Sequence, residues 1–224
     1  MSAIRTGDVS QLEQLLQHDP ALGAARIVDD KQVARSLLHI VSDWPGHFPE
    51  GPRTVGLLVR YGADVNASVN HPTAPSAETP LHWAASCDDV PLIDALLDAG
   101  ADIEAPGAIY TGGSPMSDAV VFAQWNAARR LLDRGAKTTF WQSAALGLLG
   151  NVHSHFNEEI TNEEITNALW HACRGGQLAV AQFLVGRGAD MNWIGYDDKT
   201  PLQVAEESGN GDLVVWLRDQ QTAK

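Results

Sequence analysis

The stretch at residues 78–105, ETPLHWAASCDDVPLIDALLDAGADIEA, constrains the fold more than any other part of the chain. Thr79 can cap a helix through its hydroxyl, and Pro80 fits the first helical turn, where its missing N–H costs nothing. Apolar residues then recur at helical spacing through two segments, with a turn between them. Gly100 supplies a stop in the left-handed region after the second segment. The stretch therefore reads as one complete helix-turn-helix unit. Such a unit cannot bury both of its faces alone, so its neighbours must be copies of it.

Copies are present on both sides. Ser36-Leu37-Leu38-His39, Ser114-Pro115-Met116, Asn167-Ala168-Leu169-Trp170-His171 and Thr200-Pro201-Leu202 occupy the register of Thr79-Pro80-Leu81-His82. The closing turns Gly62-Ala63-Asp64, Gly135-Ala136 and Gly188-Ala189-Asp190 match Gly100-Ala101-Asp102. The spacing divides the chain into an N-terminal cap at 1–30, repeats at 31–66, 67–104 and 105–137, an irregular unit at 138–166, a repeat at 167–192 and a C-terminal cap at 193–224. Together these make six to seven units of a single all-α domain. In the first cap, Val9, Leu12, Leu15 and Leu16 are expected on one apolar face, and in the sixth unit Ala179, Phe183 and Leu184 are expected inward.

Three segments depart from the pattern. Residues 43–52, DWPGHFPEGP, carry three prolines and are expected to form an irregular insertion before a helix at 54–61. Residues 105–113, APGAIYTGG, form an apolar, glycine-rich connection where a charged turn is usual. From Ser114 to Asn167 is 53 residues, and that interval contains NEEITNEEITN, in which 162–166 repeat 157–161. The duplication reads as an acidic surface connection, with an acidic docking surface as the alternative.

Composition limits the partners. Fifteen basic and 28 acidic residues give a formal charge of −13, which repels nucleic acid and anionic membranes and favours a neutral or basic protein partner. The uncharged run at 138–157 contains Gln142, Asn151, His153 and His155, which are expensive in hydrocarbon, so it is expected to be a buried repeat helix with its neighbour. Two cysteines, Cys87 and Cys173, and a charged N-terminus without an apolar leader point to a cytoplasmic protein. Asn66-Ala67-Ser68 is accordingly read as an idle glycosylation match. His153 and His155 are two residues apart and point to different sides of a helix, so no metal is expected. Gly112-Gly113 follows no strand and is a turn, and no cofactor motif is present.

On TPLHWAA, KTPLQVA and the GADVN, GADIE and GADMN turns, the chain resembles the ankyrin-repeat family along nearly its whole length. Within it, the APGA finger, FAQWNAARRLLDRGA and the long fifth unit look like those of bacterial members. The resemblance implies a solenoid of stacked helix pairs that binds other proteins through a concave face of fingers and first helices. It implies that the residue after the motif histidine looks towards that face. That position holds Ile40, Trp83, Asp118, His171 and Val204. Trp125, Trp170 and Trp216 are expected to fill the core. Expected binding residues are Trp44, Trp83, Tyr110, Asp118, Trp141, His171, Trp193 and Tyr196. The alternative reading is a binder of a small apolar molecule, or an enzyme using Asp118 and His171 as acid and base. His39 and His82 are expected to tie adjacent turns together by hydrogen bonds.

Overall fold

A computed structural model describes residues 1–72, 77–156 and 159–222. The chain forms two compact units, Met1–Lys137 and Thr138–Lys224. Seven helix pairs are present among the described residues: four in the first unit and three in the second.

In the first unit the pairs are α1 (Ser2–Thr6) with α2 (Val9–His18), α3 (Leu37–Val41) with α4 (Gly51–Arg60), α5 (Pro80–Ser86) with α6 (Val90–Asp98), and α7 (Pro115–Val121) with α8 (Trp125–Asp133). The short first helices pack in series, α3 on α5 and α5 on α7, while the second helices pack as α2, α4, α6 and α8. The same capping chemistry starts them. Thr79 and Ser36 each form a capping box with the histidine three residues on. The backbone N–H of Thr79 donates to His82 Nδ1 at 3.1 Å, so that nitrogen is the acceptor and Nε2 carries the proton. Nε2 then donates to the Gly113 carbonyl at 3.2 Å, and His39 Nε2 donates to the Glu78 carbonyl at 3.1 Å. Each motif histidine thus staples its own helix start to the next connection, as expected. Burial makes protonation of these rings costly, and both pKa values fall to about 4 although the carbonyl partners oppose the shift.

A two-stranded antiparallel hairpin, β1 (Arg26–Val28) and β2 (Ala34–Ser36), projects between the cap and the second pair. Its turn is closed by Asp29, whose Oδ1 accepts the N–H groups of Lys31 and Val33. The expected irregular insertion is shorter than 43–52. α4 begins at Gly51, because Pro52 fits its first turn and interrupts no helical hydrogen bond. The remaining loop is docked on the third pair: the His47 N–H donates to Asp89 Oδ2 at 2.7 Å, and Gly46 lies so close to the Cys87 side chain that a Cβ there would collide with it. Leu15 of the cap is exposed; α2 turns Leu12 and Leu16 to the core, beside Ala3 and Ile4 of α1. On the outer helices, Arg130 and Arg134 both bond Asp94, and Arg134 also bonds Asp98. Burial opposes ionisation of Asp94, but the two guanidinium groups outweigh it and hold the carboxyl below its usual range.

The second unit pairs α9 (Phe140–Ala145) with α10 (Leu149–His155), α11 (Asn162–Arg174) with α12 (Leu178–Gly186), and α13 (Pro201–Ser208) with α14 (Gly211–Thr222). Its core is built on Leu169, Trp170, Val180, Leu184, Val204, Leu213 and Leu217. Trp170 is wholly buried and its indole N–H donates to the Lys199 carbonyl at 2.9 Å. Trp125 and Trp216 are half-buried, and Ala179 is exposed, so the inward stripe of α12 runs through Val180, Ala181 and Leu184 instead. α11 starts at Asn162, five residues before the expected start. Thr161 and Glu164 form its capping box, so the second copy of the duplicated segment makes the first turns of a 13-residue helix. Ile165 and Thr166 of that copy are buried. Residues 157 and 158 of the first copy lie outside the described residues.

Candidate functional site

In the first unit, α5, the hairpin turn and the 105–113 finger enclose a cleft of about 780 Å³. Trp83 forms one wall. Its ring meets His39 edge-on at 5.0 Å between centroids, and the Arg35 guanidinium lies over it at 5.8 Å. The indole N–H reaches Glu78 Oε2 at 3.4 Å, and Arg35 is itself bonded to Asp29 at 2.7 Å. The finger forms the opposite wall with Ile109 and Tyr110. Its backbone is locked: the N–H groups of Gly107 and Ala108 both donate to the Gly113 carbonyl at 2.9 Å. Gly107 has a φ of 139° and sits against the Ala77 backbone, so only glycine fits there. Ala105 and Ala108 are buried, whereas Ile109 is 58% and Tyr110 71% exposed. The finger is therefore packed at its base, and it presents its large apolar residues outward.

Of the five register positions expected to look onto an open face, only Trp83 has substantial exposure. Ile40 and Val204 are buried core residues. Asp118 is 1% exposed, its Oδ2 without a hydrogen-bond partner. Burial and the nearby Glu78 carboxylate push its pKa up to about 8, against an opposing hydrogen bond from the Ile109 N–H. Asp118 is thus a buried, protonated acid at neutral pH, and the finger backbone lies over it. Trp44 stands 79% exposed on the loop before α4 and does not line the cleft.

The second unit holds a cleft of about 550 Å³ lined by Phe140, Trp141, Trp193 and Tyr196 with Glu163, Glu164 and Asn167. The Trp193 and Tyr196 rings stand almost perpendicular, at 87°, with centroids 6.1 Å apart. Asn167 Nδ2 donates to the Tyr196 hydroxyl at 3.0 Å and fixes that ring. His171 lies behind the wall, 4.6 Å from the Trp141 ring and 5.6 Å from Tyr196. Only 5% exposed, it leaves Nδ1 without a hydrogen bond, and burial followed by the charge of Arg174 lowers its pKa to about 3. His171 is a neutral ring packed into an aromatic cluster, and the surface is supplied by the residues in front of it.

The sequence reading grouped Trp83, Asp118, Trp193 and Tyr196 on one concave face; in the structure Trp83 and Tyr110 line the cleft of the first unit, and Trp141, Trp193 and Tyr196 line that of the second. It placed Asp118 and His171 at the surface, where the structure buries them, each in a different unit. It missed the hairpin residues Asp29 and Arg35. The available signal was a short extended run, Arg26-Ile27-Val28, followed by Asp-Asp-Lys, a turn composition. It also missed Glu163 and Asn167, because the sequence starts that repeat only at Asn167, and Phe140, which precedes the expected helix start at Trp141. No group of three or more His, Cys, Asp or Glu side chains among the described residues could hold a metal ion. No helix among them is long and apolar enough to cross a membrane.

Comparison with known proteins agrees with this architecture. The family described as "Ankyrin repeats (3 copies)" matches residues 143–224, and "Ankyrin repeat" matches residues 78–108. An ankyrin repeat and KH domain-containing protein of Caenorhabditis briggsae is 28% identical over 184 residues, covering 77% of this chain and 7% of that protein. The ankyrin repeat and KH domain-containing protein mask-1 of Caenorhabditis elegans is 28% identical over 163 residues, covering 73% of this chain and 5% of that protein. The chain thus spans less than a tenth of either relative's length.

Proposed function

Because the chain belongs to the ankyrin-repeat family, we propose that it is a protein-interaction module whose recognition surface is built from first helices and fingers within each unit. The observation that carries this reading is the 105–113 finger. Its backbone hydrogen bonds and buried alanines make it rigid, yet it holds Ile109 and Tyr110 in water beside the half-exposed face of Trp83. Large apolar side chains held rigidly in solvent lose little entropy on binding and serve as anchors. Trp44, on a loop tied down through His47, is a further anchor of the same kind.

The formal charge of −13 favours a neutral or basic partner and disfavours nucleic acid. Both cysteines are free and buried, which suits a reducing, cytoplasmic setting. In the test, wild type and the Trp83→Ala/Tyr110→Ala double variant are immobilised side by side and exposed to lysate of the source organism. The reading predicts a protein retained by wild type and lost from the double variant. Retention of the same proteins by both would overturn it.

A further inference from the structure

The second unit's cleft has a chemistry of its own. We propose that this cleft, walled by Phe140, Trp141, Trp193 and Tyr196, takes an ammonium group: a lysine side chain presented by the protein partner. This assignment rests on the partner-binding reading above.

Aromatic faces carry negative charge density, and a cation within about 6 Å of a ring centroid is attracted to it. Phe140, Trp141, Trp193 and Tyr196 all line the cleft, with the Trp193 and Tyr196 rings packed edge to face, so a group entering it meets aromatic surface from more than one ring. The rings are preorganised, Tyr196 by Asn167 and Trp141 by its contact with His171. The lining includes two glutamates and no basic residue. Glu164 is engaged in capping α11, where its Oε2 accepts from both the N–H and the hydroxyl of Thr161. Glu163 forms no hydrogen bond or ion pair with another described residue, so its carboxylate is left to meet a ligand.

The unit's own nearby cations are committed elsewhere. Lys199 bonds Glu207 at 2.7 Å, Arg174 lies over Trp170, and Arg187 lies over Phe156 and Phe183. His171, behind the wall, is neutral at physiological pH and adds no opposing charge. A single uncommitted carboxylate in an aromatic-lined cleft suits a compact point charge on a flexible stem better than a fork that demands paired oxygens.

The test uses the full chain, the indole N–H resonances of its seven tryptophans, and a short end-capped peptide containing one lysine among glycines. Trp141→Phe and Trp193→Phe assign the two signals. The proposal predicts saturable shifts of both, at least about tenfold weaker binding when the lysine is acetylated, and roughly two- to fivefold weaker binding in Glu163→Gln. Equal binding of the acetylated peptide would overturn it. So would a response to tetramethylammonium with none to the lysine peptide, which would assign the cleft to a free small cation. Trp83-dependent capture of a partner with these shifts absent would overturn this assignment alone. The shifts without any captured partner would overturn the interaction reading and leave the ammonium preference standing.

Discussion

At the scale of single residues, four buried titratable side chains set how the fold responds to pH, and they act in opposite directions. His39 and His82 titrate near 4 and His171 near 3 in the folded chain, against about 6.5 when unfolded. Their contribution is fully present above pH 6.5 and is lost as pH falls through the folded values, because the unfolded state takes up protons first. Asp118 has the reverse sign. With its pKa raised from 3.8 to about 8, burial of the carboxyl opposes folding increasingly as pH rises from 3.8, and levels off above 8. Asp118→Asn should therefore be nearly neutral at pH 4 and stabilising at pH 8, on the order of 2 kcal/mol, as measured by thermal unfolding at the two pH values. His82→Ala should destabilise at neutral pH by about 1 to 3 kcal/mol in denaturant titration, since it leaves the Thr79 N–H without its acceptor and removes the tie to the Gly113 carbonyl.

The tie that His39 and His82 make between adjacent turns was legible in the sequence because both stand at the motif position, where a buried ring nitrogen needs a partner and the next connection supplies a carbonyl. The burial of Asp118 and His171 was not. It depends on what crosses over them, the finger in one case and a cluster of rings in the other, and register alone carries no information on such cover.

At the scale of elements, the capping box of α11 shows how a duplicated segment was absorbed. One copy of Asn-Glu-Glu-Ile-Thr supplies Thr161 as the cap, and the next supplies Glu164 to close the box and Ile165 to reach the core. The sequence reading as an acidic connection counted the glutamates and overlooked that the segment also spells a helix start. Pro52 misled in the opposite way. Three prolines in ten residues suggest irregular chain, yet one of them sits in the first turn of α4, where proline is favoured. Thr161→Ala should cost about 1 kcal/mol and fray the first turn of α11, which amide exchange at residues 162–166 would report. Gly175→Ala should cost more, about 1 to 3 kcal/mol, because the added Cβ would overlap the Ala145 carbonyl and force the backbone to shift. Its check is the unfolding midpoint relative to wild type.

At the scale of the whole molecule, the repeat pattern accounts for the helix pairs and leaves a small set of residues that the fold does not require. Tyr110, Ile109 and Trp44 contribute little burial, and Trp193 and Tyr196 remain partly in water. Their retention at the surface of a strongly acidic chain is what a recognition surface explains. The most direct test of that claim is the dissociation constant of the captured partner, measured calorimetrically for wild type and for Trp83→Ala/Tyr110→Ala, with helicity verified by circular dichroism. Loss of two anchors of this type predicts affinity weakened at least about thirtyfold. An unchanged dissociation constant in a folded double variant would contradict the account.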